Sequence, residues 1–314
     1  MIVAAALLLG ALIVGWWSPR PLSRLAAGRI SPATATAWWL LTAVGVLAGA
    51  VAGVLLLVLP GHGPADAVLR VLHDCWAALS HSGLPLLDPV VGASAGALAL
   101  AGAVRLAVAS AGRRRHRNLQ YRRHLAALRL CGVADAQTVP TLWLPHDEPV
   151  AYSLGGRRAM IVASEGLAAR LSGQELDAVL AHERAHLRDH HHLLTACADV
   201  LGRTARFVPL MRELPAAIRL LVELSADHVA AAQCGTGPLR SALLSIRTEG
   251  GPRRALAMAG GDTAIRLDRL QARPPRAHPM AGRVTAVAGG LTAFLAPSLV
   301  AGALVAFTGL VSCS

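Results

Sequence analysis

The sequence predicts an α+β chain built from about four transmembrane helices and one mostly helical domain with a small sheet, on three observations. First, its 314 residues are 54% hydrophobic and only 15% charged, with a mean hydropathy of +0.50, too apolar for a soluble domain of this length. Second, residues 139–163 hold three short β-prone runs, TLWL, VAYSL and RAMIVA, punctuated by Pro145, Pro149 and Gly155-Gly156. Third, the run VLAHERAHLRDHHHLL, residues 179–194, sets apolar residues at helical spacing around a cluster of histidines and acids.

Four stretches are long and apolar enough to cross a bilayer, at about 1–17, 36–59, 89–110 and 285–311. Their only charge is Arg105, near one end of the third, where it can snorkel to the interface. The expected organisation is three spans with loops over 1–110, a cytoplasmic domain over 111–284, and a fourth span with a short tail over 285–314. The first stretch has no basic residues before it, and its positive charges follow it, which suits an uncleaved anchor with the N-terminus outside. Loop 18–34 carries Arg20, Arg24 and Arg29 with no acid, and AGRRRHRNLQYRRH follows the third span; the positive-inside rule places both in the cytoplasm. Loop 61–88 has Asp66, Asp74 and Asp88 against Arg70 and belongs outside. Both termini are then outside a cell (inner or plasma) membrane, and Trp16, Trp17, Trp38 and Trp39 are expected in the aromatic belt of the cytoplasmic interface.

This topology gives the net charge of +12 a partner, the anionic leaflet of the lipid bilayer. No aromatic-interleaved basic face points to nucleic acid, which is not an expected partner. The five cysteines form no C-x-x-C pair. Cys131, Cys197 and Cys234 fall on the cytoplasmic side as reduced packing residues, while Cys75 and Cys313 fall outside, where a disulfide between them stays open.

The helix carrying the histidines has a start signal in Ser172 and Glu175, a capping box, and an apolar stripe in Leu176, Val179, Leu180 and Leu187; it is expected to run to about Gly202. His182 and His186 are one turn apart, so their Cβ atoms leave one face about 5–6 Å from each other, close enough to hold a tetrahedral Zn2+. Glu183 points aside from them and is free to act as general base on a water at the metal. A catalytic zinc needs a third protein ligand and an open fourth position. LVELSADH supplies it: on a helix from about Met211 to Ala232, Glu223 is the ligand, and Asp227, four residues on, accepts the free ring N–H of a ligating histidine, His182 being the best suited. H-E-x-x-H alone also occurs on ordinary surface helices, and it is the acidic pair on a second helix that turns it into a site.

The remaining histidines carry blander readings. His190, His191 and His192 are expected as a solvated helix end rather than a second metal site, with only Asp189 as a nearby acid, and His228 points off the ligand face. Residues 113–130 read as an interfacial helix with Leu119, Leu125 and Leu128, residues 165–171 as a short helix, and Pro209 as a turn. Short helices are expected within 235–283, broken by Gly250-Gly251-Pro252 and RPPRAHPMAGR, and Pro297 is expected to kink the last span. Two of the β-runs should form a hairpin across Gly155-Gly156, and an exposed edge of that sheet would offer a platform for an extended substrate.

The run AYSLGGRRAMIVASEGLAARLSGQELDAVLAHERAHLRDHHHLL, with LVELSADH downstream, resembles the BlaR/MecR-type membrane metallopeptidases of beta-lactam sensor-transducers and, more distantly, the membrane proteases of HtpX and Ste24 type. The pairing of H-E-x-x-H with E-x-x-x-D is that of gluzincins. The resemblance is specific over about 150–234, and three spans before the domain with one after it are similar to the sensor-transducer layout. It implies zinc proteolysis facing the cytoplasm, with a cytosolic transcriptional repressor as the kind of substrate. The sensors carry a penicillin-binding domain after the last span, where this chain ends at Ser314, so direct beta-lactam sensing through such a domain is not expected; a trigger acts through loop 61–88, the spans or a partner protein, or there is none. The Ste24-type enzymes have an asparagine before the edge-strand aromatic, where this chain has Val150-Ala151-Tyr152. His278-Pro279 with Arg283 resembles their H-P…R segment, which makes His278 and Arg283 candidates for substrate or carbonyl contact beside a plain linker role, with Tyr152 a candidate oxyanion donor.

The expected function is a membrane-embedded zinc metalloendopeptidase that cleaves a protein or peptide on the cytoplasmic side, with regulated proteolysis of a repressor as the leading form. Quality control of membrane proteins is the alternative, and a non-catalytic metal-binding scaffold is another, against which the presence of Glu183 argues.

Overall fold

A computed structural model describes residues 2–27, 30–58, 133–135, 140–156, 159–247, 263–271 and 279–312. The expected third span at 89–110, loop 61–88, the basic stretch 113–130, Cys75, Cys131, Cys313 and His278 lie outside the described residues.

Helices α1 (Ile2–Trp17), α3 (Pro32–Val58) and α10 (Pro279–Ser312) pack on one another, and the short α2 (Pro19–Ala27) turns off the end of α1. Two of the described helices contain a segment long and apolar enough to cross a membrane, Pro32–Leu57 and Val284–Thr308. The α1 and α2 pair, bent by 46°, makes a third if it is one broken span. Small residues set the spacing of this bundle. A Cβ on Gly45 would overlap the backbone carbonyl of Phe294, and one on Gly10 would overlap that of Pro297, so α3 and α1 meet α10 at backbone contact. Helix α10 continues through Pro297.

Helix α1 runs antiparallel to α3: Gly53 faces Ala4 and Leu8, Gly49 faces Ala11, and Gly15 faces Val46. The first turns of α3 therefore extend beyond the end of α1, and protein wraps them. Trp39 is 1% exposed in an apolar cluster with Leu210, Met211, Leu214 and Ile218, and Trp38 donates its indole N–H to the Ala286 carbonyl at 3.0 Å. Trp39 is thus a core residue rather than a member of the expected belt, while Trp38 is half-buried and Trp16 and Trp17 are exposed. The sequence placed Trp39 with the other three because it did not show that α3 projects.

The sheet has the order β1 (Val133–Asp135), β2 (Thr141–Leu144), β4 (Met160–Ser164), β3 (Ala151–Leu154). β2 and β4 are parallel, the other pairs antiparallel, and β3 is an edge strand. β3 and β4 form the expected hairpin, with Leu154 opposite Met160 and Gly156 at φ +143, a conformation that glycine adopts freely. Alternation along β4 sends Ile161 and Ala163 toward the helices and Val162 to the other face, where it meets Leu142, Tyr152 and Leu154.

Ser164 caps α4 (Glu165–Arg170), and Ser172 with Glu175 forms the capping box of α5 (Gly173–Arg188). The expected long helix to Gly202 is in fact two. His190 sits in the left-handed region at φ +52 and separates α5 from α6 (His191–Thr204). Pro209 is the first residue of α7 (Pro209–Cys234) rather than a turn residue; proline fits there because a first-turn N–H has no helical partner. Helices α8 (Thr236–Arg247) and α9 (Thr263–Gln271) follow. Helix α7 holds the protein together. Its N-terminal half joins the apolar cluster with α1, α3 and α6, and its C-terminal half joins the cluster between the sheet, α5 and α8.

Candidate metal centre

Helix α5 buries Ala178, Val179, Leu180, Ala181 and Leu187 against the sheet and α8, and this fixes its rotation. His182 and His186 then face α7, where Glu223 meets them. The His182 and His186 Nε2 atoms are 3.1 Å apart, and each lies 3.5 Å from a Glu223 carboxylate oxygen. Ligands about 2.0–2.2 Å from a tetrahedral zinc are separated by roughly 3.3 Å; here His182 meets Oε2 and His186 meets Oε1 of the one carboxylate, one donor atom from each residue lies within 4.8 Å of the others, and two imidazoles with one carboxylate are a zinc donor set. A metal-ligand grouping of these three residues stands out among the described residues.

Around these ligands the groups are buried and coupled. The His182 Nδ1 lies 3.0 Å from Asp227 Oδ1, the place the E-x-x-x-D spacing gave that aspartate. The contact is short but poorly aligned, because Arg266 of α9 holds the same carboxylate: Nε and Nη2 each sit 2.6 Å from an Asp227 oxygen. A third guanidinium nitrogen reaches Glu223 Oε2 at 3.0 Å, and Arg266 is 1% exposed. Sequence reading passed over Arg266. Its one signal is its position four residues before Leu270 and next to Leu267, on the face of α9 that packs into the core.

Burial pulls the His182 imidazole toward neutrality, but Asp227 and Glu223 overcome it and hold its pKa up at about 9. His186, buried and beside His182, is pushed down to about 3. Asp227 is at about 2, with His182 and Arg266 outweighing the cost of burial. Glu223 is also lowered against burial, by His182 first. Glu183 is different: burial raises its pKa, and the Ser153 hydroxyl on β3 hydrogen-bonds its carboxylate. A carboxyl held above its usual range, beside these ligands, is suited to taking up and releasing a proton.

His191 corrects the expectation of a solvated helix end, being 4% exposed. The left-handed turn at His190 folds the start of α6 back on α5, which brings His191 Nδ1 to 3.0 Å from His186 Nδ1 with the rings edge to face. If His186 Nε2 ligates a metal, its Nδ1 carries the proton and His191 Nδ1 accepts it. His190 is exposed, and the His192 ring fills the space where Gly155 lacks a Cβ. His228 is exposed. Tyr152 follows Ala151 on β3 and packs with Val162 on the face opposite Ser153, so it is not brought to these ligands; burial raises its pKa. Arg283 belongs to the first turns of α10.

Residues 114–245 match the model of peptidase family M48, somewhat under half of the chain. Protease HtpX homolog 2 of Methanosarcina mazei is 30% identical over 87 residues, which cover 27% of this chain and 30% of that protein. No solved structure matches. The two matches support a membrane metallopeptidase at the M48 and HtpX-like level, a class of metal-dependent hydrolases.

Proposed function

We propose that the chain is a membrane-embedded zinc endopeptidase in which His182, His186 and Glu223 hold the metal and Glu183 is the catalytic base. The observation that carries this is the cluster of His182, His186 and Glu223, in which the two Nε2 atoms are 3.1 Å apart and each lies 3.5 Å from its own oxygen of the Glu223 carboxylate, with a buried glutamate on the residue next to His182. Zn2+, when bound there, supplies the Lewis acidity that makes water nucleophilic at about neutral pH. Glu183 takes the proton from the attacking water and passes it to the leaving amine. Asp227 and His191 orient the two imidazoles from behind, and Arg266 orients Glu223 and Asp227. The edge strand β3 supports an extended substrate: a peptide added there would run past Ser153, which already touches Glu183.

The resemblance to sensor-transducer peptidases favours a cytosolic transcriptional repressor as substrate, cut on the cytoplasmic side of a four-span protein. His278 and Arg283 remain candidates for holding substrate. The test is a proteome-wide comparison of new N-termini in cells expressing the wild type or Glu183→Gln, with and without cell-wall stress. One cytosolic DNA-binding protein cut only by the wild type is the expected result. Many membrane-protein fragments without stress would assign quality control instead, and no difference would point to the scaffold or to a trigger other than cell-wall stress.

A further inference from the structure

The turn between α6 and α7 presents Phe207 at 78% exposure, the highest of the large hydrophobic residues described. The next most exposed, Val284 and Phe307, lie on α10, where acyl chains would cover them. Phe207 lies within the matched peptidase segment, and among the described residues no helix long and apolar enough to cross a membrane carries it. Its neighbour Val208 fits against Gly15 near the end of α1, so tightly that a Cβ there would sit 2.7 Å from Val208 Cγ1. One residue further along α1 stand Trp16 and Trp17, both exposed, with the Arg20 guanidinium 5.9 Å over the Trp17 ring. Arg24, with Arg20 on α2, and Arg203, Arg206 and Arg212 on the hairpin are exposed; the acids nearest the hairpin tip in sequence are Glu213, 3.9 Å from Arg212, and Asp199, which pairs with Arg219. Three exposed aromatics ringed by arginines at the end of an apolar helix are the composition of a membrane interface.

We propose that the tip of the α6–α7 hairpin is seated in the headgroup region of the bilayer, with Phe207 in the acyl boundary beside Trp16 and Trp17. Arg20, Arg24, Arg203, Arg206 and Arg212 bind the phosphates of anionic lipids. The peptidase domain is then docked on the membrane by its own surface as well as tethered by helices. The docking sets a height. Glu223 lies fourteen residues along α7 from Pro209, about 21 Å at 1.5 Å per residue, on a helix that packs along the projecting part of α3. Taking Glu223 as the metal ligand proposed above, a membrane-anchored substrate needs an extended stretch of about six residues, at roughly 3.3 Å each, between bilayer and cleavage site.

The test places a spin label at Phe207→Cys in the full chain, freed of its native cysteines and reconstituted into vesicles of phosphatidylcholine with phosphatidylglycerol. Collision with oxygen, which concentrates in lipid, is compared with collision with a water-soluble nickel chelate. The label at 207 is expected to favour oxygen, and a control label at Gln174→Cys, on the exposed start of α5, to favour the chelate. Replacing Arg203, Arg206 and Arg212 with glutamine should move the 207 label toward water, as should vesicles of phosphatidylcholine alone. A 207 label as wet as the control would overturn the proposal, and so would shielding from both reagents, which means protein covers the tip. Depth unchanged in the arginine variant would overturn the anionic-lipid part. A photoactivatable phosphatidylglycerol analogue, applied to the unsubstituted chain, should mark the peptide 203–212, and absence of that adduct counts against it equally. None of these readings depends on zinc or cleavage.

Discussion

Between Leu210 and Leu221, the inward face of α7 is covered by apolar side chains of α1, α3 and α6, whereas the half-buried Glu223 and the buried Asp227, within two further turns, sit among His182, His186 and Arg266. The two inward faces are held by different physics. Apolar burial contributes in proportion to area and tolerates a change of shape. A buried charge is tolerable only while every partner is present, because removing one leaves another desolvated and unpaired. The first half of α7 is therefore a support, and the second is a closed network in which each residue depends on the next.

Substitutions in the two halves should separate accordingly. The largest effect is on chemistry: Glu183→Gln should lower peptide cleavage by about 10²–10⁴-fold, the range for a positioned acid-base group, with zinc content unchanged. Arg266→Met should cost about 3–5 kcal/mol in thermal unfolding, since it strands Asp227 and leaves Glu223 without its cation; adding Asp227→Leu should recover part of that loss. His191→Leu should weaken zinc binding by about 10–100-fold in competition with a chelator, while His191→Asn, whose Oδ1 falls close to the lost Nδ1, should restore most of it. In the apolar half, Ile218→Val removes one fully buried methylene and should cost only about 0.5–1.5 kcal/mol with zinc affinity unaltered. If Ile218→Val disturbed zinc as much as His191→Leu, the two halves would not be independent.

The same division explains what the sequence disclosed. His182, Glu183, His186, Glu223 and Asp227 were legible because helical periodicity alone puts residues four apart on one face, and the capping box marked where α5 begins. The β3–β4 hairpin was legible from Gly155-Gly156. Arg266 was not, since its place depends on how α9 packs on α7, and no local pattern encodes that. His191 was hidden for another reason. In a continuous helix it would point well away from His186, and only the left-handed turn at His190, which a histidine adopts without any sequence signature, brings it back. Trp39 read as an interfacial aromatic until the projection of α3 gave it a core to join.

The central claim is that His182, His186 and Glu223 form a zinc site that Glu183 serves without ligating. Zinc content of the purified full chain tests it most directly, in the wild type, Glu183→Gln and Glu223→Ala. Equimolar zinc in the first two and loss of zinc in the third is the predicted result. A wild type that binds no zinc, or a Glu223→Ala variant that keeps it with undiminished affinity, would contradict the claim.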